Sequence, residues 1–308
     1  MEEEPPRRPD PDRVIDLFEG LDEEPTAEPP PQPKPRQRRR RNVLRGETAR
    51  RILVAIPWIA FAIGITVVGG LPFALALVAL ALVCLREFFV MTSDWRPIQM
   101  AAYVALVAMI AAAHFGTAFN VLLALAASFP LLFFFGADRK HRDGVTVSVG
   151  VTVLAIVWIG LPFVHAVLLR GLPDHGAALL IDVLVGTFAA DTGAYATGRM
   201  FGSHRIAPSL SPNKTLEGLV GGFLIGTMGF WFAGLYQDWL SGLDALLIGA
   251  AVAAVAPIGD LFASLVKRDL DRKDTGRLFG PHGGLLDRLD AVLFTIVVGY
   301  YLSLQLVY

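Results

Sequence analysis

The sequence predicts an all-α fold, a polytopic integral membrane protein with about nine transmembrane helices, and three observations predict it. Hydrophobic residues fill 54% of the 308 positions and charged residues only 18%, against about 25% in a typical soluble domain. The apolar residues gather in runs near the roughly 20 residues that carry a helix across a bilayer. The charges, which nearly balance at −1, sit in the first fifty residues and in a few short loops.

The elements follow in chain order. Residues 1–50 read as a disordered tail: Glu2, Glu3 and Glu4 and proline stretches such as Pro29-Pro30-Pro31 give it nothing to build a core with. It closes on Arg36 and on Arg38, Arg39, Arg40 and Arg41. That block suits a positive-inside anchor beside the first helix and, compatibly, a contact with anionic lipid. No nucleic-acid partner is expected for a tail tethered at a membrane. The first apolar run starts near Ile52, so no cleavable signal peptide is read and the first helix is expected to direct insertion. Residues 51–308 form the transmembrane domain, with the catalytic part expected at 186–295. The spans are expected at roughly 52–69, 71–91, 98–114, 117–136, 145–169, 177–198, 215–236, 243–266 and 289–307. The fifth carries Pro162, which predicts a kink or tilt.

Loop charge orients these spans. With the arginine block in the cytoplasm, basic loops alternate with uncharged or acidic turns. Arg86 and Arg96, then Arg139, Lys140 and Arg142, then Arg199, Arg205 and Lys214, then Lys267 to Arg288 all fall inside. Arg170 is the one violation. The polar loops 199–216 and 267–288 therefore share the cytoplasmic face, where they could build one site.

Gly259 to Asp290 is the richest segment. Asp260, Ser264, Lys267 and Arg268 recur at i, i+4, i+7 and i+8, one face of a helix. A carboxylate inside an apolar run is costly unless it is paired or holds a cation; an ion pair with Arg268 or with a neighbouring helix is the structural alternative. Lys273 and Asp274 precede Gly276, Gly280, Pro281, His282, Gly283 and Gly284. Glycines let a backbone approach phosphate closely, although turns use them constantly. Asp287 and Asp290 share a face at the start of the last helix. They suit either the helix dipole or a divalent metal held jointly by Asp260 and Asp287 across two antiparallel helices.

A second segment runs from Asp191 to Gly218. Asp191 and Tyr195 lie one turn apart in an apolar run. Ser211 reads as a helix N-cap with Pro212 at the first helical position, leaving Lys214, Thr215 and Glu217 in a first turn suited to phosphate. Plain capping is the alternative. Only five of the 27 basic residues are lysines, and Lys214, Lys267 and Lys273 lie in these two segments, a small-number hint that a compact ammonium is wanted there. Gly218, Gly222 and Gly226, spaced by four, predict close helix packing. Asp182 is read as lying nearer the outer surface, where it can pair or snorkel, and His165 and His114 as lying near outer ends with no assigned role. Cys84, the single cysteine, excludes an internal disulfide.

Ser264-x-x-Lys267-Arg268, Lys273-Asp274, His282-Gly283-Gly284 and Asp287-Arg288-x-Asp290, with Gly259-Asp260 before them and Ser211-Pro212-x-Lys214-Thr215-x-Glu217-Gly218 upstream, closely resemble the signature of the phosphatidate cytidylyltransferase family, the CDP-diacylglycerol synthases. The resemblance is strong in the C-terminal third, reaches the N-terminal helices only as hydropathy, and leaves the tail out. Pro281 stands where many members have glycine. The resemblance implies transfer of CMP from CTP to phosphatidic acid, Mg²⁺ at Asp260 and Asp287 with a second cation left open, a homodimer, and a cell-membrane location. On that reading Asp260, Asp287, Lys267, Arg268, Lys273 and Arg288 are catalytic. Asp191, Ser211, Lys214, Thr215, Glu217, Ser264, Asp274, His282, Gly283, Gly284 and Asp290 contact substrate. Two rival functions are a CTP-dependent polyprenol kinase and an ion-coupled transporter using Asp182, Asp191 and Asp260.

Overall fold

A computed structural model describes residues 59–137, 144–276 and 283–308. The tail, its arginine block, Arg139, Lys140, Arg142, Pro281 and His282 lie outside the described residues.

The described chain is helical apart from one short hairpin. Helix α1 spans Ile59–Val68, α2 Gly70–Met91, α3 Gln99–Phe115 and α4 Ala118–Ala137. A long helical run follows as α5, Val145–Ala155, a π-helical turn, Ile156–Gly160, and α6, Leu161–Arg170. Then come α7, Gly176–Phe201, the strands β1, Arg205–Ala207, and β2, Ser211–Thr215, and helices α8, Leu216–Gly234, α9, Gly242–Asp269, and α10, Leu286–Leu306. Seven helical runs are long and apolar enough to cross a membrane: α2, α4, Val145–Arg170, α7, α8, α9 and α10. Each of the nine expected positions holds an apolar helix, but the count of nine is not reached among the described residues. Helix α3 has 17 residues, about 26 Å at 1.5 Å per residue, short of the roughly 30 Å hydrocarbon layer. The first expected span is described only from Ile59. The chain is a multi-pass membrane protein, and the exposed Phe129, Phe133 and Phe134 of α4 are the surface such a protein turns to lipid.

The expected irregularity at Pro162 is present as the π turn. Proline has no N–H to donate and crowds the carbonyl four residues back, and a wide turn is a common way to absorb that mismatch. Arg170, the exception to the charge pattern, also has a local reason. Its Nε donates to the Thr66 carbonyl at 2.6 Å and its Nη2 to that of Val67 at 3.2 Å. A guanidinium there caps the carbonyl end of α1, where the helix dipole favours a cation. Gly69, at φ +66°, makes the turn beside it, and a side chain there would strike that guanidinium.

Helices α7 and α8 form the closest pair. A methyl group on Gly222 would stand 2.8 Å from the Ala190 carbonyl, and one on Gly226 would stand 2.6 Å from the Ala190 methyl. The predicted glycine stripe is thus the contact that lets the backbones meet. The aromatic chain Phe88–Trp158–Phe262–Phe294, with ring centroids 5.7, 5.0 and 5.6 Å apart, ties α2, the π turn, α9 and α10 together. Antiparallel succession brings the C-terminal ends of α2, α7 and α9 and the N-terminal ends of α8 and α10 to one end of the bundle.

Candidate active site

At that end, two acids and two lysines make two separate bridges. Lys267, in the last turn of α9, places Nζ 2.9 Å from Asp287 Oδ1 in the first turn of α10. Both side chains are nearly buried, at 12% and 11% exposure. The other oxygen, Asp287 Oδ2, accepts the N–H groups of Thr275 and Gly284, each at 2.9 Å. One carboxylate thus closes the base of the Gly-rich loop and pins it to α9. Gly283, at φ +85°, takes a left-handed conformation that glycine adopts freely, and a side chain there would crowd Asp287 Oδ2.

The second bridge joins the hairpin to α9. Lys214 Nζ lies 2.8 Å from Asp260 Oδ2 and 3.2 Å from the Pro257 carbonyl. Asp260 is paired with Lys214 and not with Arg268, whose Nε donates instead to the Leu210 carbonyl at 3.3 Å. The hairpin is thereby fastened to α9 at two points. One reading of the sequence is corrected here. Ser211 is not the N-cap and Pro212 is not the first helical residue. Ser211–Thr215 pairs antiparallel with β1, Arg205 opposite Thr215 and Ala207 opposite Ser211. Proline is tolerated in such an edge strand because a donor is missing only where none is needed. The cap is Thr215, whose Oγ1 accepts the Gly218 N–H at 3.1 Å. Lys214 therefore leaves the chain before the helix starts, which lets it reach across to α9.

Glu217 turns the other way. It accepts the N–H groups of Ser203 and His204 and meets His204 Nδ1 at 2.6 Å, fixing the exit from α7. Asp290, 9% exposed, accepts the Ala291 N–H at 2.9 Å. It lies where α9 and α10 touch, since a methyl on Gly259 would stand 2.5 Å from its carbonyl. Asp191, exposed on α7, Asp260 and Asp290 are close enough to interact electrostatically. Ser264 sits half-buried on α9 between Asp260 and Lys267, Lys273 and Asp274 are exposed just beyond that helix, and Arg288 is exposed in the first turn of α10. Asp182 falls at the other end of α7, buried against Gln237 Nε2 at 2.8 Å, away from the other two members of a supposed ion path.

One residue of the site was not read from the sequence. Glu87, on α2 and 8% exposed, accepts the N–H of Leu285 with Oε1 and that of Leu286 with Oε2, both at 2.9 Å. Its Oε2 also receives the Thr275 hydroxyl at 3.2 Å. Glu87 thus caps α10 from another helix, at a terminus whose own N-cap residue, Leu285, supplies no side-chain acceptor. The criterion that singled out Asp260, an acid inside an apolar run, applies equally to Glu87. Of the two adjacent charges, only Arg86 enters the count of loop charge, and Glu87 falls within the expected span 71–91.

The donors present suit a hard cation. Asp191, Asp260, Asp287 and Asp290 outnumber Lys214 and Lys267 four to two. Among the described residues no three His, Cys, Asp or Glu side chains converge to hold a metal by themselves. Mg²⁺ fits such a set, because it commonly takes one or two carboxylates and completes its shell with water and substrate phosphates.

The sequence profile of the cytidylyltransferase family matches residues 49–306, nearly the whole helical part. The chain belongs to the cytidylyltransferase family. Its relatives include the phosphatidate cytidylyltransferase of Bacillus subtilis (strain 168), 35% identical over 156 residues, 50% of this chain and 58% of the relative. That of Thermotoga maritima is 38% identical over 165 residues, 52% of this chain and 61% of the relative. That of Mycobacterium leprae is 36% identical over 149 residues, 48% of this chain and 47% of the relative. The chain thus matches roughly half the length of these curated relatives. The family profile's match, at residues 49–306, takes in both bridges, the hairpin and Glu87.

Proposed function

We propose that the chain is a phosphatidate cytidylyltransferase, transferring CMP from CTP to phosphatidic acid to give CDP-diacylglycerol and pyrophosphate. The observation that carries this reading is the pair of bridges, Lys214–Asp260 and Lys267–Asp287, gathered at one end of a membrane bundle beside a Gly-rich loop. The family and the names of the relatives agree with it.

In the reaction a phosphate oxygen of phosphatidic acid attacks the α-phosphorus of CTP. The bond from that phosphorus to the bridging oxygen breaks, and pyrophosphate leaves with the electron pair. Both reactants are polyanions, so their repulsion must be offset before they meet. Lys214, Lys267, Arg268, Lys273 and Arg288 supply cations for positioning the phosphates and balancing charge in the transition state. A phosphate monoester is already ionised at neutral pH, so no dedicated base and no covalent enzyme intermediate are required. Asp260 and Asp287 would hold Mg²⁺, with Asp191 and Asp290 in reserve for a second cation; a bound metal supplies Lewis-acid polarisation and charge neutralisation at the phosphates. As polyphosphate draws Lys214 and Lys267 toward itself, those two carboxylates are freed. Ser211, Thr215, Ser264, Asp274, Gly283, Gly284 and Asp290 belong to the walls of this site, several of them by holding backbone in place, and Glu217 secures the entry to the hairpin. The diacyl tails stay in lipid. CTP arrives from the cytoplasm, which sets the site and the N-terminus on that face of the cell membrane. The protein acts as a homodimer.

Purified protein given labelled phosphatidic acid, CTP and Mg²⁺ is expected to form CDP-diacylglycerol and one pyrophosphate per lipid, resolved by thin-layer chromatography. Release of CDP with a phosphorylated lipid would make it a kinase, and no nucleotide-dependent lipid product at all would overturn the reading.

A further inference from the structure

We infer that Glu87 is a positioning residue of the catalytic loop, acting through Thr275 and the first turn of α10 on Asp287. The inference rests on the proposed transfer reaction for its kinetic part and on geometry alone for the rest.

The contacts form a closed ring. Thr275 is held on both sides: its N–H is given to Asp287 Oδ2 at 2.9 Å and its hydroxyl to Glu87 Oε2 at 3.2 Å. Gly284 gives its N–H to the same Asp287 oxygen at 2.9 Å. The next two N–H groups, of Leu285 and Leu286, go to Glu87. Two carboxylates, one from α2 and one from α10, thus divide five hydrogen bonds at the two ends of one loop. The loop leaves the ring at Gly276 and returns at Gly283. A methyl on Gly276 would lie 2.7 Å from Glu87 Oε1, and one on Gly284 would run into Glu87 Oε2 and the Thr275 hydroxyl. The backbone is therefore pressed against this carboxylate at both ends of the loop.

A carboxylate can only accept, and every partner here is a donor. Glutamine keeps the shape but puts an N–H₂ against backbone N–H groups, whichever way the amide turns. The acid is also the costlier choice in an apolar helix, and a cap alone could have come from a serine or threonine at position 285. Placing the acceptor on α2 does something a local cap does not. It ties the aim of Asp287, and through it Lys267, to the N-terminal half of the bundle.

The test compares Glu87→Gln, Thr275→Val and the double variant with the parent protein in detergent. Asp182→Asn, a buried carboxylate bonded to Gln237 at the far end, controls for the loss of any buried acid. We expect kcat for CDP-diacylglycerol formation to fall about 10- to 100-fold in Glu87→Gln, more than KM for CTP changes, because a displaced rather than absent group is at fault. Thr275→Val should fall in the same direction, and the double variant should lie within about threefold of the worse single one, as coupled positions do. Tryptic cleavage after Arg272, Lys273 or Arg277 should accelerate in both single variants, with cleavage after Arg142 and Arg205 unchanged. Parental kcat and cleavage in Glu87→Gln would overturn the inference. So would cleavage rising equally at all sites, or the same changes in Asp182→Asn. Cleavage needs no substrate, so a parent protein that lacks the transfer activity would sink the functional reading and leave this part to be decided on its own.

Discussion

The ammonium of Lys267 stands 2.9 Å from the carboxylate of Asp287, and both are nearly withdrawn from solvent. Removing one member of such a pair leaves an uncompensated charge, which costs about 3 kcal/mol or more. Asp287→Asn is therefore expected to abolish lipid conversion and to lower the unfolding temperature in detergent. Lys267→Met should do the same. Replacing both at once, Lys267→Met with Asp287→Asn, should recover stability without recovering activity. Thermal unfolding and a product assay on each variant check this, and full activity in Asp287→Asn would refute the assignment.

Lys214–Asp260 should behave differently. Asp260 is 40% exposed, so solvent screening keeps its contribution to stability to at most about 1 kcal/mol. Lys214→Ala is expected to fold normally and to raise KM for CTP by about tenfold or more. Asp260→Asn should raise the Mg²⁺ concentration needed for half-maximal rate. Chelation with EDTA should stop the parent reaction, and added Mg²⁺ should restore it. A Mg²⁺ titration that is unchanged in Asp260→Asn would exclude this acid as a ligand.

Thr215, the last residue of the strand that carries Lys214, caps α8. Thr215→Ala is expected to cost about 1 kcal/mol and to reduce activity by loosening the base of the hairpin. Ser211→Ala, at the position the sequence reading wrongly gave to the cap, should cost far less stability. Unfolding temperatures for the two variants decide between them.

The glycine stripe makes a steric prediction. Gly222→Leu or Gly226→Val must force α7 and α8 apart by the width of a side chain, since the nearest atoms already stand 2.8 and 2.6 Å from an added methyl. Overpacking of this kind costs about 1–3 kcal/mol or more. Such variants should give little monodisperse protein by size-exclusion chromatography. Arg170→Gln, which loosens only the end of α1, should reduce stability while leaving kcat within about twofold.

How much of this was legible beforehand depended on the range of the physical signal. Spans are written in local hydropathy, so each expected position holds an apolar helix, and the exceptions are ends: α3 falls short because length is set by where its turn begins. Arg170 broke the charge pattern because its partners are carbonyls more than a hundred residues earlier, invisible to any count of loop charge. The acids and lysines of the candidate site were readable because charges in an apolar chain are rare. Their pairing was not. Asp260 has a cation on its own helical face in Arg268, yet it takes Lys214, because the hairpin of β1 and β2 brings that lysine across to α9. Ser211-Pro212 obeys the local rule for a helix start, and the antiparallel partner at 205–207 overrode it. Glu87 meets the rule for an important acid, but its partners are backbone N–H groups nearly two hundred residues later, which no local pattern shows.

That glutamate has a consequence for how the chain divides. A fragment beginning at α7 would carry both bridges, the hairpin and the Gly-rich loop, yet it would lack the carboxylate that holds the Leu285 and Leu286 N–H groups at the start of α10. A chimaera that joins α7–α10 of one relative to the earlier helices of another would inherit its competence from the donor of α2. The natural seam for grafting or splitting such a protein therefore does not lie just before α7 but outside the helix that supplies the acid.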